Sequence, residues 1–322
     1  MTFPTAKKSK SKMRAQLALF DLALANPREP DAQPAPEVIA PRHRHNRKKP
    51  DTPSEPPITG TPADQTFIAF YLEHNRVPMI QDERKPWTYR GWMFWYRMLA
   101  EERRPDVVPP RWMYWFEAMD RGKLPDKPIP QINFNNDESD RTAGFKHVDN
   151  LVNIIARKLG NFTRIDPLLE WLLFAFGETS EMPDFPPELH EDLYRTFSME
   201  HLLTKPCDYF GAWIGASKGR SNPTAFFATP HPIVQLMTSL LMADGSDRSA
   251  TVYEPSLGTG RMLLHASNYS LRLSGQDIDR TVIMASKVNG FLYVPWLVRP
   301  FPESFFNNPT PLATEEETRN AE

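Results

Sequence analysis

The stretch TVYEPSLGTGRMLLHASNYSLRLSGQDID, Thr251–Asp279, decides how this chain is read. A short β-branched run, ATVYEP, leads into a glycine turn and then into GRMLLHASNY, where apolar residues return at helical spacing. A second short strand follows in LRLSGQDID, and a second helix in RTVIMASKVNGFLY. Strand, helix, strand, helix with short loops predicts a parallel crossover unit, which binds ligands beyond the carboxyl ends of its strands. Gly258 and Gly260 fall in that loop. Without a Cβ they allow a tight turn and close approach of a ligand, and the helix behind them begins with free N–H groups. Asp277 ends the second strand, nineteen positions after Gly258, where a carboxylate accepts hydrogen bonds from two ribose hydroxyls. The pattern predicts a site for a nucleoside-bearing cofactor.

A dinucleotide fingerprint needs a third small residue, but Leu263 stands there, and the lysine of a P-loop is missing. S-adenosylmethionine carries no phosphate and makes neither demand. Three segments, FFATPHPIVQLMTSLL, VYEPSLGTGRML and GQDIDRTVIMASKVNGFLY, resemble the N6-adenine DNA methylase family in order and spacing. The likeness is greatest to the modification subunits of type I restriction systems, and it covers about 70 residues, Ala225 to Tyr293. It implies an α/β fold: a partial Rossmann-like S-adenosylmethionine-dependent methyltransferase core, preceded by a mainly α-helical region. It assigns Thr229 and Pro230 to the methionine end of the cofactor and Glu254, Pro255, Gly258, Thr259 and Gly260 to the loop around it. Asp277 takes the ribose, Ile278 lies beside the adenine, and Asn289 matches the family's helix asparagine. The implied function is methyl transfer to the N6 amino group of adenine in DNA, with DNA and a specificity subunit or a second polypeptide as partners.

The family's catalytic element, a strand leading into (N/D)-P-P-(Y/F), holds the target amino group and stacks on a flipped base. Here the nearest fragment is Asn308-Pro309-Thr310-Pro311, a degenerate form with no apolar strand before it. From Thr251 onward there is material for two strands, with a third expected at YVPWLVRPF. Ser256, Leu257 and Arg261 stand where the family has smaller or less charged residues. Either another polypeptide completes the core, or the chain is an inactive methylase fold acting as a binding partner or decoy in restriction-modification.

Upstream, the 322 residues divide by composition. Residues 1–62 form a proline-rich arm with two basic clusters, KKSKSKMR and RHRHNRKK, and one apolar helical hint, Met13–Ala25; they are expected to be disordered apart from that helix. The clusters could contact phosphates, or simply form a solvated charged tail. Residues 63–127 carry two aromatic repeats, with Trp92, Trp95 and Tyr96 on one helix face and Trp112, Trp115 and Phe116 on another. Such stripes face a core, or else form a stacking platform or contact surface. Residues 128–145 read as a linker, 146–222 as a helical domain, and 223–322 as the incomplete cofactor domain.

Net charge is −2, 40% of residues are hydrophobic, and no run approaches the length of a membrane span. The N-terminus lacks the apolar core of a secretory signal, so a cytoplasmic protein is expected. The lone Cys207 excludes an intrachain disulfide, has no metal-ligand partners at the usual spacing, and reads as a buried apolar residue.

Overall fold

A computed structural model describes residues 85–160, 163–217, 226–242 and 247–306, and up to residue 242 every regular element among them is helical. These elements are α1 (Trp92–Arg103), α2 (Arg111–Arg121), α3 (Ala143–Leu159), α4 (Asp166–Ala175), α5 (Pro187–Thr196), α6 (Glu200–Leu203), α7 (Tyr209–Ser217) and α8 (His231–Met242). Then come β1 (Thr251–Glu254), α9 (Arg261–Ala266), β2 (Arg272–Gly275), α10 (Arg280–Tyr293) and α11 (Pro295–Val298). The fold is thus mixed α/β, mostly helical, with a small two-stranded parallel sheet. All described residues fall within one compact unit, Ala63–Glu322. The helical hint at Met13–Ala25, both basic clusters, and Asn308 and Pro309 lie outside the described residues.

The sheet follows the order expected from its periodicity. β1 and β2 pair in parallel, from Thr251 opposite Arg272 to Glu254 opposite Gly275, and α9 crosses between them. The Glu254 carbonyl accepts the Gln276 N–H at 3.0 Å, so Glu254 and Val252 turn their main-chain groups toward β2. Thr251 and Tyr253 turn theirs the other way, where no strand pairs with them among the described residues. None of the four β1 residues is buried, although parallel strands are ordinarily covered on both faces. The third strand expected at YVPWLVRPF does not form. Pro295 opens the short helix α11 instead, and Trp296 is buried with its indole N–H donating to the Ser270 carbonyl at 3.0 Å.

The aromatic repeats are core. Trp92, Trp95, Tyr96, Trp112, Trp115 and Phe116 are all buried, and Phe94 meets Trp112 edge to face at 4.5 Å. Burial corrects the alternative that these rings form a stacking platform or contact surface. Helices α1 and α2 also solve a problem created by α10, whose last carbonyls have no partner within the helix. The Trp112 indole N–H donates to the Phe291 carbonyl (2.9 Å), Arg97 Nε to Leu292 (2.7 Å) and Arg111 Nη1 to Tyr293 (3.3 Å). Two guanidinium groups at a helix C-terminus also complement its partial negative charge. Glu101, fully buried, pairs with Arg97 at 2.9 Å and accepts the N–H groups of Trp112 and Met113, capping α2 from the neighbouring helix.

The stretch 128–145 has no regular element before α3 but is anchored rather than free. Ile129, Ile132 and Phe134 are buried, and the Asn268 side chain exchanges two 2.9 Å hydrogen bonds with the Ile132 main chain. Thr142 then caps α3 through the Phe145 N–H. Helix α3 packs on α5 and α7, and α4 on α10, where Phe176 stacks on Phe291 at 5.1 Å. No helix among the described residues is long and apolar enough to cross a membrane.

Candidate functional site

A cavity of about 260 Å³ opens at the carboxyl ends of β1 and β2. Three segments distant in sequence line it: Phe226–Thr229, the loop from Ser256 into α9, and Asp277–Asp279 with Val282 of α10. These are the segments singled out by motif. Thr229, Gly258, Thr259, Asp277 and Ile278 all line the cavity. Ile278 stands at its rim, 93% exposed. Glu254, Pro255, Gly260 and Pro230 do not line it and act on its framework instead. The Glu254 carboxylate accepts the Ser256 N–H at 3.0 Å, fixing the first turn of the loop. The Pro230 carbonyl accepts the Ile233 and Val234 N–H groups that begin α8. Pro255 is exposed.

The loop closes onto Asp277. One carboxylate oxygen accepts the Gly258 N–H at 2.8 Å and the other accepts the Asp279 N–H at 2.9 Å, leaving each with a free lone pair. Gly258 and Gly260 have φ values of 54° and 84°, so the turn needs both. Their missing Cβ atoms make room for protein rather than ligand. At Gly260 a Cβ would stand 2.6 Å from Ser286 Oγ, and at Gly258 3.1 Å from the Phe226 ring.

Behind the loop lies a buried polar network that composition and spacing gave no reason to expect. Asp208 is fully buried and accepts from the Gly211 N–H (2.9 Å), Asn289 Nδ2 (2.8 Å), the Thr259 hydroxyl (2.5 Å) and Arg261 Nε (3.2 Å). Asn289 also donates to the Thr259 carbonyl at 3.0 Å, so the helix asparagine holds the loop from below rather than reaching into the cavity. Arg261 pairs with Glu138 at 2.6 Å and donates to the Thr229 carbonyl at 2.9 Å. This one guanidinium ties together the loop, the Thr229 segment, and the stretch before α3. Burial works against its charge, but Asp208 and Glu138 more than offset that and hold it firmly protonated. Ser256, Leu257 and Arg261 were the departures from the family pattern here, and none of them pointed to Asp208 or Glu138.

Three further groups form a buried line beside this network. The Cys207 thiol lies 3.5 Å from His231 Nε2, and His231 Nδ1 lies 2.9 Å from His265 Nε2. Burial pushes the thiol well up, so Cys207 is a neutral, unreactive side chain, in keeping with its reading as core. Burial, reinforced by the Arg261 charge, pulls both imidazoles down to about 4. Asp208 pulls His231 the opposite way and His265 adds to its depression. Elsewhere His147, buried on α3 with His201 beside it, falls to about 3. An imidazole that binds protons less well in the fold than in the unfolded chain stabilises the fold only while both states are neutral. Stability is therefore expected to be full above pH 6.5 and to fall progressively toward pH 4. Between pH 7 and pH 5 the loss is on the order of 2 kcal/mol for each of these three imidazoles. Urea unfolding across that range checks this, and a midpoint that stays constant from pH 7 to 5 contradicts it.

Compared with family models, with curated proteins and with solved structures, the chain matches none.

Proposed function

We propose that this chain binds S-adenosylmethionine in the cavity at Gly258 and serves as the cofactor-binding part of an adenine-N6 methyltransferase acting on DNA. One observation carries the reading: the three motif-bearing segments, separated by up to 50 residues, line a single cavity at the carboxyl ends of two parallel strands. On this reading β1, α9, β2 and α10 are the beginning of a Rossmann-like core.

The chemistry of the lining supports this ligand over a phosphorylated one. Arg261 is the one cation lining the cavity among the described residues, and Asp208 and Glu138 already hold it. Among the described lining residues no guanidinium or ammonium is left to receive a phosphate, while Asp277 and Asp279 favour a ligand carrying positive charge, as a sulfonium does. Asp277 would hold the ribose hydroxyls with the lone pairs not used by the loop, and Phe226, Phe227, Leu257, Ile278 and Val282 offer apolar walls for a base. Bound there, the cofactor supplies an electrophilic methyl group for the amino nitrogen of adenine.

The described residues include no set that grips a flipped adenine. The outward edge of β1 and its unburied residues support a sheet continued by a second polypeptide, which would bring the catalytic element. A chain that binds the cofactor yet never methylates, alone or with that partner, is the inactive binding protein or decoy. Titration calorimetry with S-adenosylmethionine tests the first step. Binding is expected, and Asp277→Ala should weaken it at least about tenfold by removing charge-assisted acceptors. No heat with the wild-type chain, or equal affinity in the variant, sinks the cofactor assignment. A methyl-transfer assay on adenine-containing DNA, with and without the product of the neighbouring reading frame, then separates enzyme from decoy.

A further inference from the structure

Arg261 is the charged residue standing where the family resemblance expects a less charged one, and the fold brings two carboxylates to it. Asp208 takes Nε at 3.2 Å. Glu138 takes the other edge with both oxygens, accepting from Nη2 at 2.6 Å and from Nη1 at 3.3 Å. A turn is built to bring Glu138 there. The Asn135 N–H donates to the Pro206 carbonyl at 2.7 Å, which anchors the turn two residues before Asp208. The Asn135 side chain then accepts the Asp137 N–H (3.2 Å) and the Asp137 carboxylate accepts the Ser139 N–H (3.0 Å), folding the chain back on itself. From Asn136 to Asp140 every residue is exposed except Glu138.

We infer that Glu138 is a specificity-determining residue of the cavity: by holding the Nη edge of Arg261 it keeps phosphorylated nucleosides out. The inference rests on the reading of the cavity as a nucleoside site, though not on S-adenosylmethionine as the nucleoside. Arg261 lines the cavity and Glu138 does not, so Glu138 acts through the guanidinium. Nη1 also donates to the Thr229 carbonyl in the cavity wall at 2.9 Å, so the edge that Glu138 covers borders the ligand space. A phosphate takes a guanidinium by the same paired N–H bonds that a carboxylate accepts, and here that pair of nitrogens is occupied. The two carboxylates differ in what else they hold. Asp208 is fully buried and also binds Thr259, Asn289 and Gly211, whereas the Glu138 side chain is 34% exposed and hydrogen-bonds to Arg261 alone among the described residues. An ion pair that water reaches contributes little to stability. The consequence of Glu138 therefore falls on what Arg261 can receive from the cavity.

Calorimetry of the full chain with adenosine and with adenosine 5′-monophosphate tests it. The wild-type chain should bind adenosine at least about tenfold more tightly than the monophosphate. Glu138→Ala should tighten the monophosphate at least about tenfold while leaving adenosine within about twofold. Loss of a merely structural contact would weaken both ligands together. Glu138→Gln keeps the shape of the side chain and removes its charge, and should shift the ratio of affinities in the same direction even if the alanine variant misfolds. A ratio that stays constant across the wild type and both variants overturns the inference, as does a wild-type chain that binds neither ligand. The cofactor reading fails separately: a wild-type chain that binds adenosine but not S-adenosylmethionine ends it, while a changed ratio in the Glu138 variants still supports the role of Glu138.

Discussion

Replacing Glu101 with glutamine is expected to destabilise the fold by about 3–5 kcal/mol, the cost of stripping a buried charge of its partner. Glu101 is fully buried, and the guanidinium groups of Arg97 and Arg111 are 1% and 0% exposed, so water does not reach any of them. Burial opposes every charge in the group, and pulls Arg111 down to about 9 even with Glu101 supporting it. Without Glu101, two guanidinium groups share the core with no counter-charge. They cannot withdraw, because their N–H groups are committed to the carbonyls of Leu292 and Tyr293. Urea unfolding should show the loss at unchanged m-value, together with a fall in Tm of roughly 10 °C. Adding Arg97→Met should restore part of it by removing one of the stranded charges. A change of less than about 1 kcal/mol in Glu101→Gln would mean that the pair is not buried as described.

The second large effect is expected at Asp208, a residue that does not line the site cavity. Asp208→Asn keeps the shape but places an amide among four donor groups: the Gly211 N–H, Asn289 Nδ2, the Thr259 hydroxyl and Arg261 Nε. A buried donor facing donors costs its desolvation without return, and Arg261 keeps only Glu138 as counter-charge. A destabilisation of about 2–4 kcal/mol is expected. The more specific consequence concerns the loop. Thr259 is anchored through its hydroxyl to Asp208 and through its carbonyl to Asn289, so the variant should raise hydrogen exchange at Gly258 and Thr259 while leaving α3 and α5 unaffected. Affinity for S-adenosylmethionine should drop with it. An unchanged unfolding midpoint and unchanged exchange at those two amides would remove Asp208 from any role in holding the loop.

Where the signal is local, the sequence foretold the structure closely. RTVIMASKVNGFLY spans α10 from first residue to last, and the two runs read as strands form β1 and β2. What escaped was long-range. The donors to the carbonyls of Phe291, Leu292 and Tyr293 come from residues about 180 to 195 positions away, and no window on either segment contains the other. Asp208 has nothing in its neighbourhood to mark it, since a carboxylate before YFG is an ordinary helix start. Periodicity showed that α8 has an apolar stripe but not which side of the helix the body would take. Packing took Val234 and Thr238. Pro295 in YVPWLVRPF carried the information that turned an expected strand into a helical turn, and the apolar run around it outweighed that in the reading.

The site residues divide the same way. The family resemblance grouped Thr229, Gly258, Thr259, Asp277 and Ile278 around one ligand, and these five residues line one cavity. It gave Gly260 to a ligand, whereas the fold spends that glycine on the approach of Ser286.

Helix α10 has a consequence for how this chain can be divided. Its first turn is capped by Asp279, two residues past the carboxylate that closes the loop, and its last turn is sealed by Arg97, Arg111 and Trp112. Fourteen residues make it a strut about 21 Å long, with its foot at the cavity and its head clamped by helices that precede it by nearly two hundred positions. A fragment starting near residue 223 would keep every motif residue, yet it would leave three carbonyls and the Phe291 ring without their partners. The cofactor-motif segment is therefore a module in sequence but not an autonomous folding unit, and its boundary for genetic dissection lies upstream of Trp92.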